Sequence, residues 1–474
     1  MSSELHRVAS GCLMPSFPGP EAPGWVLRGL EEGLGGICLF AYNVGDRLGE
    51  LTASLRAARP DVLIGIDEEG GDVTRLEAAH GSSYPGNGAL GAVDDVELTE
   101  RVAASIGSDL AAVGVNLDFA PVADVNANPA NPVIGVRSFG SDYDLVSRHV
   151  AAFVRGLQGR GVAACAKHFP GHGTTEADSH LELPVVHDDI RPGLEPFRAA
   201  IAAGVESIMT AHVLVPALDD VPATLSNAVI SGLLRGELGY DGLVIADALE
   251  MKAVSETYGI ARSAVMAIGA GVDAVLIGHD LGVDAVDSAR SALVRAVSEG
   301  ELDEGRLREA AGRVARVGSN VPAGGARDLG AATAAARRAL ELDGMVALEA
   351  PPLVVELRPR ANIAAGEAEH SLGSVLAERL PRTEEIVLDE STAEPARVEG
   401  RRGGRPLVVV LHDAHRHAWM RDLTDDLAPA VAVETGVPLW RPGRAGGYVV
   451  THGGGRVSYE AVADVLAEGN GGSK

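Results

Sequence analysis

Over its first 280 residues the chain repeats one pattern: a short, continuously apolar run, then a longer amphipathic, alanine-rich stretch. Apolar runs that do not alternate with polar residues belong to strands buried on both faces, the condition of a parallel sheet covered by helices. The runs are Val8–Ser16, Gly36–Phe40, Val62–Asp67, Val115–Asp124, Val162–His168, Ser207–Val213, Leu243–Asp247 and Ala274–His279. Between them lie amphipathic stretches such as Glu97–Val113, Asp144–Gly159, Pro196–Ala203 and Ile260–Ile268. Eight strands with helices between them fit the count and size of a (β/α)8 barrel of the TIM type, typically about 250 residues.

Helices at Val286–Ser298 and Glu304–Val317 close this first unit, so a barrel is expected over residues 1–320. Pro322, Gly324 and Gly325 mark Ser319–Gly330 as a linker. An Ala/Arg-rich helix, Ala331–Leu342, completes a connection over 321–345. Residues 346–474 then read as a smaller α/β domain, with runs at Leu353–Leu357, Glu385–Leu388, Leu407–Leu411, Ala430–Val433 and Gly447–Val450.

Composition bounds the function. A net charge of −26 argues against a nucleic-acid partner, whose phosphates need a basic face. No run approaches the roughly 20 apolar residues of a membrane span. No secretory leader is evident, and three cysteines inside apolar runs suggest buried thiols in a reducing compartment. The expected location is the cytoplasm, and nothing indicates an oligomeric state.

Six of the eight expected strands end in ionisable residues: Asp67, Asp118 and Asp124, Lys167 and His168, His212, Asp247 and His279. In a barrel those ends converge on one face, where catalytic groups are placed. The densest stretch is AKHFPGHGTTEADSHLELP, residues 166–184. Its Lys167 is one of only three lysines among 40 basic residues, so the position favours a compact ammonium over a planar fork. Asp178 and His180 lie two apart. In an extended loop they share a face, and the carboxylate can orient an imidazole that titrates near neutrality; a solvated loop is the plainer reading. Asp247 is either the cap of the next helix or a reactive carboxylate. Asp67 and Arg75 bracket DEEGGDVTR, as hydroxyl-binding partners or a structural ion pair, and Arg137 in NPVIGVRSFG is a binding residue or a surface arginine. Pro170 and Gly171 deny His168 and His172 the helix that would align them on a metal. His412, His415 and His417 show no recognisable ligand pattern. A phosphate-binding loop, a dinucleotide fingerprint and a serine-hydrolase elbow are all missing.

Five segments, IDEEGGDVTR, VIGVRSFG, AKHFPGHG with TEADSHLELP, MTAHV and VIADALEM, occur in that order at expected strand ends. Together they resemble family 3 glycoside hydrolases, in particular the β-N-acetylglucosaminidase branch, over residues 5–320. The resemblance implies that Asp247 is the nucleophile, His180 the acid/base and Asp178 its partner. It implies that Asp67, Arg75, Arg137, Lys167 and His168 bind the sugar, with His212 of MTAHV grouped among them. It calls for no cofactor and no metal. The implied activity is retaining, exo-acting removal of terminal GlcNAc from small glycosides or peptidoglycan fragments. A phosphorylase on the same scaffold, a β-glucosidase and a non-catalytic sugar sensor are the alternatives.

Overall fold

The computed structural model describes residues 2–187, 189–278, 281–359 and 370–468. Eight strands form: β1 (Leu13–Pro15), β2 (Gly36–Leu39), β3 (Leu63–Ile66), β4 (Leu117–Asp118), β5 (Ala163–Phe169), β6 (Ser207–Thr210), β7 (Leu243–Ala246) and β8 (Ala274–Ile277). Their ladders are all parallel, in the order β1-β8-β7-β6-β5-β4-β3-β2. Because β1 also lies beside β2, the sheet curls into a nearly closed (β/α)8 barrel.

Two expected strands come out much shorter. Ser2–Ser10 is helical, with Leu5 and Ala9 buried one turn apart, so the first strand starts only at Leu13. β4 stops at Asp118 because Pro121 has no N–H for a ladder; the chain stays beside β5 through Lys167 N to Pro121 O and Ala123 N to Lys167 O. His279, expected at the end of the eighth strand, lies outside the described residues.

Inside the barrel Met14, Cys38, Leu63, Leu117, Cys165, Leu243, Ile245 and Leu276 pack together, with Val314 and Val317 of helix Glu304–Gly318 against them. Each large aliphatic side chain buried there contributes about 1.5–3 kcal/mol. That helix covers the amino-terminal ends of the strands: Asn116, just before β4, donates to Gly318 O at 2.9 Å. At the same end Asp273, just before β8, is fully buried and receives Arg235 at 2.6 Å, Arg313 at 3.3 Å and Arg306. The carboxyl ends of the strands are left for polar side chains.

The second sheet has six strands: β9 (Glu341–Gly344), β10 (Leu353–Leu357), β11 (Glu384–Leu388), β12 (Leu407–Leu411), β13 (Val431–Glu434) and β14 (Gly447–Val450). The order is β11-β10-β12-β13-β14-β9, parallel except for the antiparallel edge strand β9. Alternate residues face opposite layers. Val354, Val408 and Val433 pack with helices Leu372–Arg379 and Arg456–Ala467, while Val355, Val409 and Ala432 pack with helix Ala418–Leu427. β9 occupies the end of the stretch expected to be helical, since the observed helix stops at Arg338. Its four residues are exposed, so backbone pairing to β14 makes it a strand.

The chain forms two compact units. One comprises Met1–Glu68, Thr99–Asn131 and Ser141–Arg327; the other comprises Glu69–Leu98, Pro132–Gly140 and Asp328–Lys474. The stretches after β3 and β4 that carry Arg75 and Arg137 thus cluster with the second sheet. Cys12, Cys38 and Cys165 are buried thiols, all in the barrel unit. Burial pushes the Cys165 thiol up to about 12 and raises that of Cys12 as well. Among the described residues no helix is long and apolar enough to cross a membrane.

Candidate active site

β5 delivers two neighbouring residues of the site. Lys167 is 2% exposed, and its Nζ donates to Asp67 Oδ1, just past β3, at 2.7 Å. Asp118, at the end of β4, accepts the Glu68 N–H at 3.0 Å, and burial raises its carboxyl well above the ordinary range.

His168 is held by Asp124. One oxygen of that fully buried carboxylate accepts the His168 ring Nδ1 at 2.7 Å and its backbone N–H at 3.1 Å; the other accepts the His172 N–H at 2.6 Å. Burial opposes ionisation of Asp124, but His168, His172 and these hydrogen bonds prevail and hold the carboxyl below its usual range. With Nδ1 committed to a carboxylate, the ring orientation of His168 is fixed.

Asp178 and His180 come together, though not as expected. The segment is a turn, not an extended loop: Leu181 N and Glu182 N both donate to Asp178 O. Within it Asp178 Oδ1 accepts the His180 N–H at 2.9 Å and meets His180 Nδ1 at 2.8 Å. A side chain that caps its own turn reaches the residue two ahead without help from strand geometry. Burial opposes the charge on Asp178, but the His180 bonds lower its carboxyl overall. Both side chains are partly exposed, at 14% and 23%, so the pair is open to a ligand.

Asp247 follows β7 directly, and its Oδ1 accepts the next residue's N–H at 2.8 Å. Burial works against its charge; the neighbouring imidazoles of His212, His168 and His180 and the Ala248 N–H together lower its carboxyl below the ordinary value. His212, beyond β6, meets Ala248 O through Nε2 at 3.0 Å and Thr224 Oγ1 through Nδ1 at 2.8 Å. A carbonyl can only accept, so Nε2 carries the proton, and His212 clamps the turn that presents Asp247.

Arg75 and Arg137 belong to the second unit. Arg75 is half-buried. Arg137 is buried and forms a bidentate pair with Glu69, at 2.7 and 3.0 Å, far from the surface arginine of the plainer reading. Asp67 pairs with Lys167, not through a described bond with Arg75. In the sequence Glu69 goes unnoticed, His172 is weighed only as a metal ligand, and Asp124 is left without a role. Their signal was faint: Glu69 sat in a run of acids, and Asp124 acts on a histidine 44 residues away. His412 meets Thr435 Oγ1 at 3.1 Å, and among the described residues no group of three His, Cys, Asp or Glu side chains is placed to hold a metal.

Carboxylates and imidazoles gathered at the carboxyl ends of barrel strands equip an enzyme for nucleophilic and acid–base chemistry. The glycosyl hydrolase family 3 N-terminal domain matches residues 28–317, and the chain belongs to that family: it is a glycoside hydrolase. It is 35% identical over 322 residues to beta-hexosaminidase A of Pseudoalteromonas piscicida, covering 61% of this chain and 54% of that one. It is 39% identical over 266 residues to a beta-hexosaminidase of Stenotrophomonas maltophilia, covering 54% of this chain and 79% of the other. A solved family 3 beta-N-acetylglucosaminidase from Paenibacillus sp. str. FPU-7 superposes with a TM-score of 0.87 at 35% identity, over 98% of this chain and 96% of that one. The chain therefore spans about half the length of the first of these relatives and nearly all of the last.

Proposed function

We propose that the protein is an exo-acting, retaining β-N-acetylglucosaminidase that hydrolyses terminal GlcNAc from small glycosides or peptidoglycan fragments in the cytoplasm. The observation that carries this reading is the Asp178–His180 pair, set in the same unit as the ionised Asp247. The names of the relatives above support the sugar.

In the first step Asp247 attacks the anomeric carbon. The bond to the aglycone oxygen breaks, and protonated His180 gives that oxygen a proton. Nδ1 is engaged by Asp178, so Nε2 is the nitrogen that exchanges the proton. In the second step neutral His180 takes a proton from water, whose oxygen displaces Asp247 with a second inversion. Asp178 keeps the imidazole oriented and stabilises its charged form. Asp67, Lys167 and His168 bind the sugar, and the resemblance gives it Arg75 and Arg137 as well, whereas His212, buried with both ring nitrogens engaged, acts through the turn of Asp247.

One experiment tests the reading. Chromogenic β-GlcNAc and β-glucoside substrates are compared with and without millimolar phosphate, and products are resolved by NMR. GlcNAc released as the β-anomer, with little turnover of the glucoside, is expected. Dominant GlcNAc-1-phosphate would instead make the enzyme a phosphorylase, and Asp247→Ala with more than about a tenth of wild-type kcat would remove the nucleophile assignment.

A further inference from the structure

His172 is a buried histidine that the steps above do not use, yet it touches both sides of the site. Its backbone N–H donates to Asp124 Oδ1, while the other oxygen of that carboxylate holds His168. Its ring reaches the turn that carries His180. Nδ1 meets Thr175 Oγ1 at 2.7 Å, and Nε2 meets Ser179 Oγ at 3.1 Å. Ser179 is the residue between Asp178 and His180. Thr175 is itself fixed, because Asn131 donates to its carbonyl at 3.0 Å and to that of His172 at 2.8 Å. From the other side Ala253 N donates to Ser179 O at 3.4 Å.

His172, Thr175, Ser179 and Asn131 are all buried. Both ring nitrogens of His172 are engaged, so the ring has nothing to offer a substrate. Burial outweighs the opposing pull of Asp124 and keeps the imidazole below its ordinary value, hence neutral at pH 7. A neutral ring has one donor and one acceptor, and two hydroxyls that can each play either part suit it.

We infer that His172 is a positioning residue for proton transfer: it ties the Asp178–Ser179–His180 turn to the carboxylate beyond β4 and so sets where His180 meets the leaving oxygen. The inference rests on His180 being the acid/base. A general acid works only within hydrogen-bond reach of that oxygen, and a displacement of about 1 Å costs on the order of 100-fold.

The test uses the full chain and β-GlcNAc glycosides graded by leaving group. His172→Ala should lose about 100-fold in kcat/KM on the poorest leaving group and little on the best. In a His180→Ala background the same substitution should add almost nothing, because a missing acid cannot be misplaced. Should His172→Ala not fold, Ser179→Ala and Thr175→Val cut the same two bonds at their far ends, and each should show the same slope against leaving group. Equal losses across the series, or a full further loss on top of His180→Ala, overturn the inference. A His180→Ala enzyme that loses equally on every leaving group overturns the acid/base reading itself, a distinct result.

Discussion

Lys167 shows how much one side chain in this barrel is constrained. Its ammonium is buried and meets Asp67 at 2.7 Å, at the mouth of a core packed on every other side. A guanidinium keeps the charge but needs a wider, planar slot than a buried ammonium. Lys167→Arg should therefore lose at least about tenfold in kcat/KM on an aryl β-GlcNAc glycoside; an arginine variant with unchanged kcat/KM would show that charge alone matters there. Lys167 was legible in the sequence through the rarity of lysine and Asp247 through its place at a strand end, whereas Asp178 and His180 stood out by their spacing and by the TEADSHLELP motif. Asp124 was visible only as a polar strand end. Its work is done on backbone N–H groups and on a ring 44 residues away, and neither leaves a mark on local composition.

At the scale of elements, strands were the easier reading. A parallel strand buried on both faces announces itself as an unbroken apolar run, as β7, β8 and β12 do. β9 could not be found this way, since all its side chains are exposed and its identity lies in the partner strand. Nor could the turn at Asp178, which side-chain capping makes and periodicity does not. The helices that cap the barrel's amino-terminal end depend on a feature equally invisible in sequence: arginines from two of them meet Asp273 in front of β8. Removing that carboxylate leaves three guanidinium groups around an uncompensated buried site. Asp273→Ala should cost about 3–5 kcal/mol, read as a lowered urea midpoint of the barrel transition; a midpoint within error of wild type would mean the arginines find other acceptors.

For the whole molecule, the pH dependence of stability is a balance. Burial raises Glu356 and Glu434 to about 7 and raises Asp118, and nearby carboxylates, against burial, raise His412; all of these favour the folded chain as pH falls, while two barrel histidines work the other way. Folding lowers the pKa of His172 and His212 from an ordinary value of 6.5, in each case chiefly through burial. Below that value the unfolded chain binds protons at these sites and the native chain does not, so their contribution is complete above about pH 6.5 and is lost as pH falls through the folded values. Asp124 and Asp247 are depressed carboxylates, ordinarily near 3.8, and their contribution is lost only at much lower pH. The thermal midpoint of His212→Asn should therefore rise relative to that of wild type as pH falls from about 7.5 to 5.5, since the variant no longer loses that contribution; a constant difference over the interval would contradict the assignment.

The distribution of sulfur and indole gives the fold a built-in set of reporters. All three cysteines are sealed inside the barrel unit, whereas Trp419 and Trp440 lie in the second unit and Trp25 in the first. A thiol reagent added to the native enzyme meets no reactive sulfur, and each cysteine is modified only when the barrel around it opens. Alkylation thus clocks the opening of one half of the chain while the emission of two of its three tryptophans follows the other, with no label added and no residue changed.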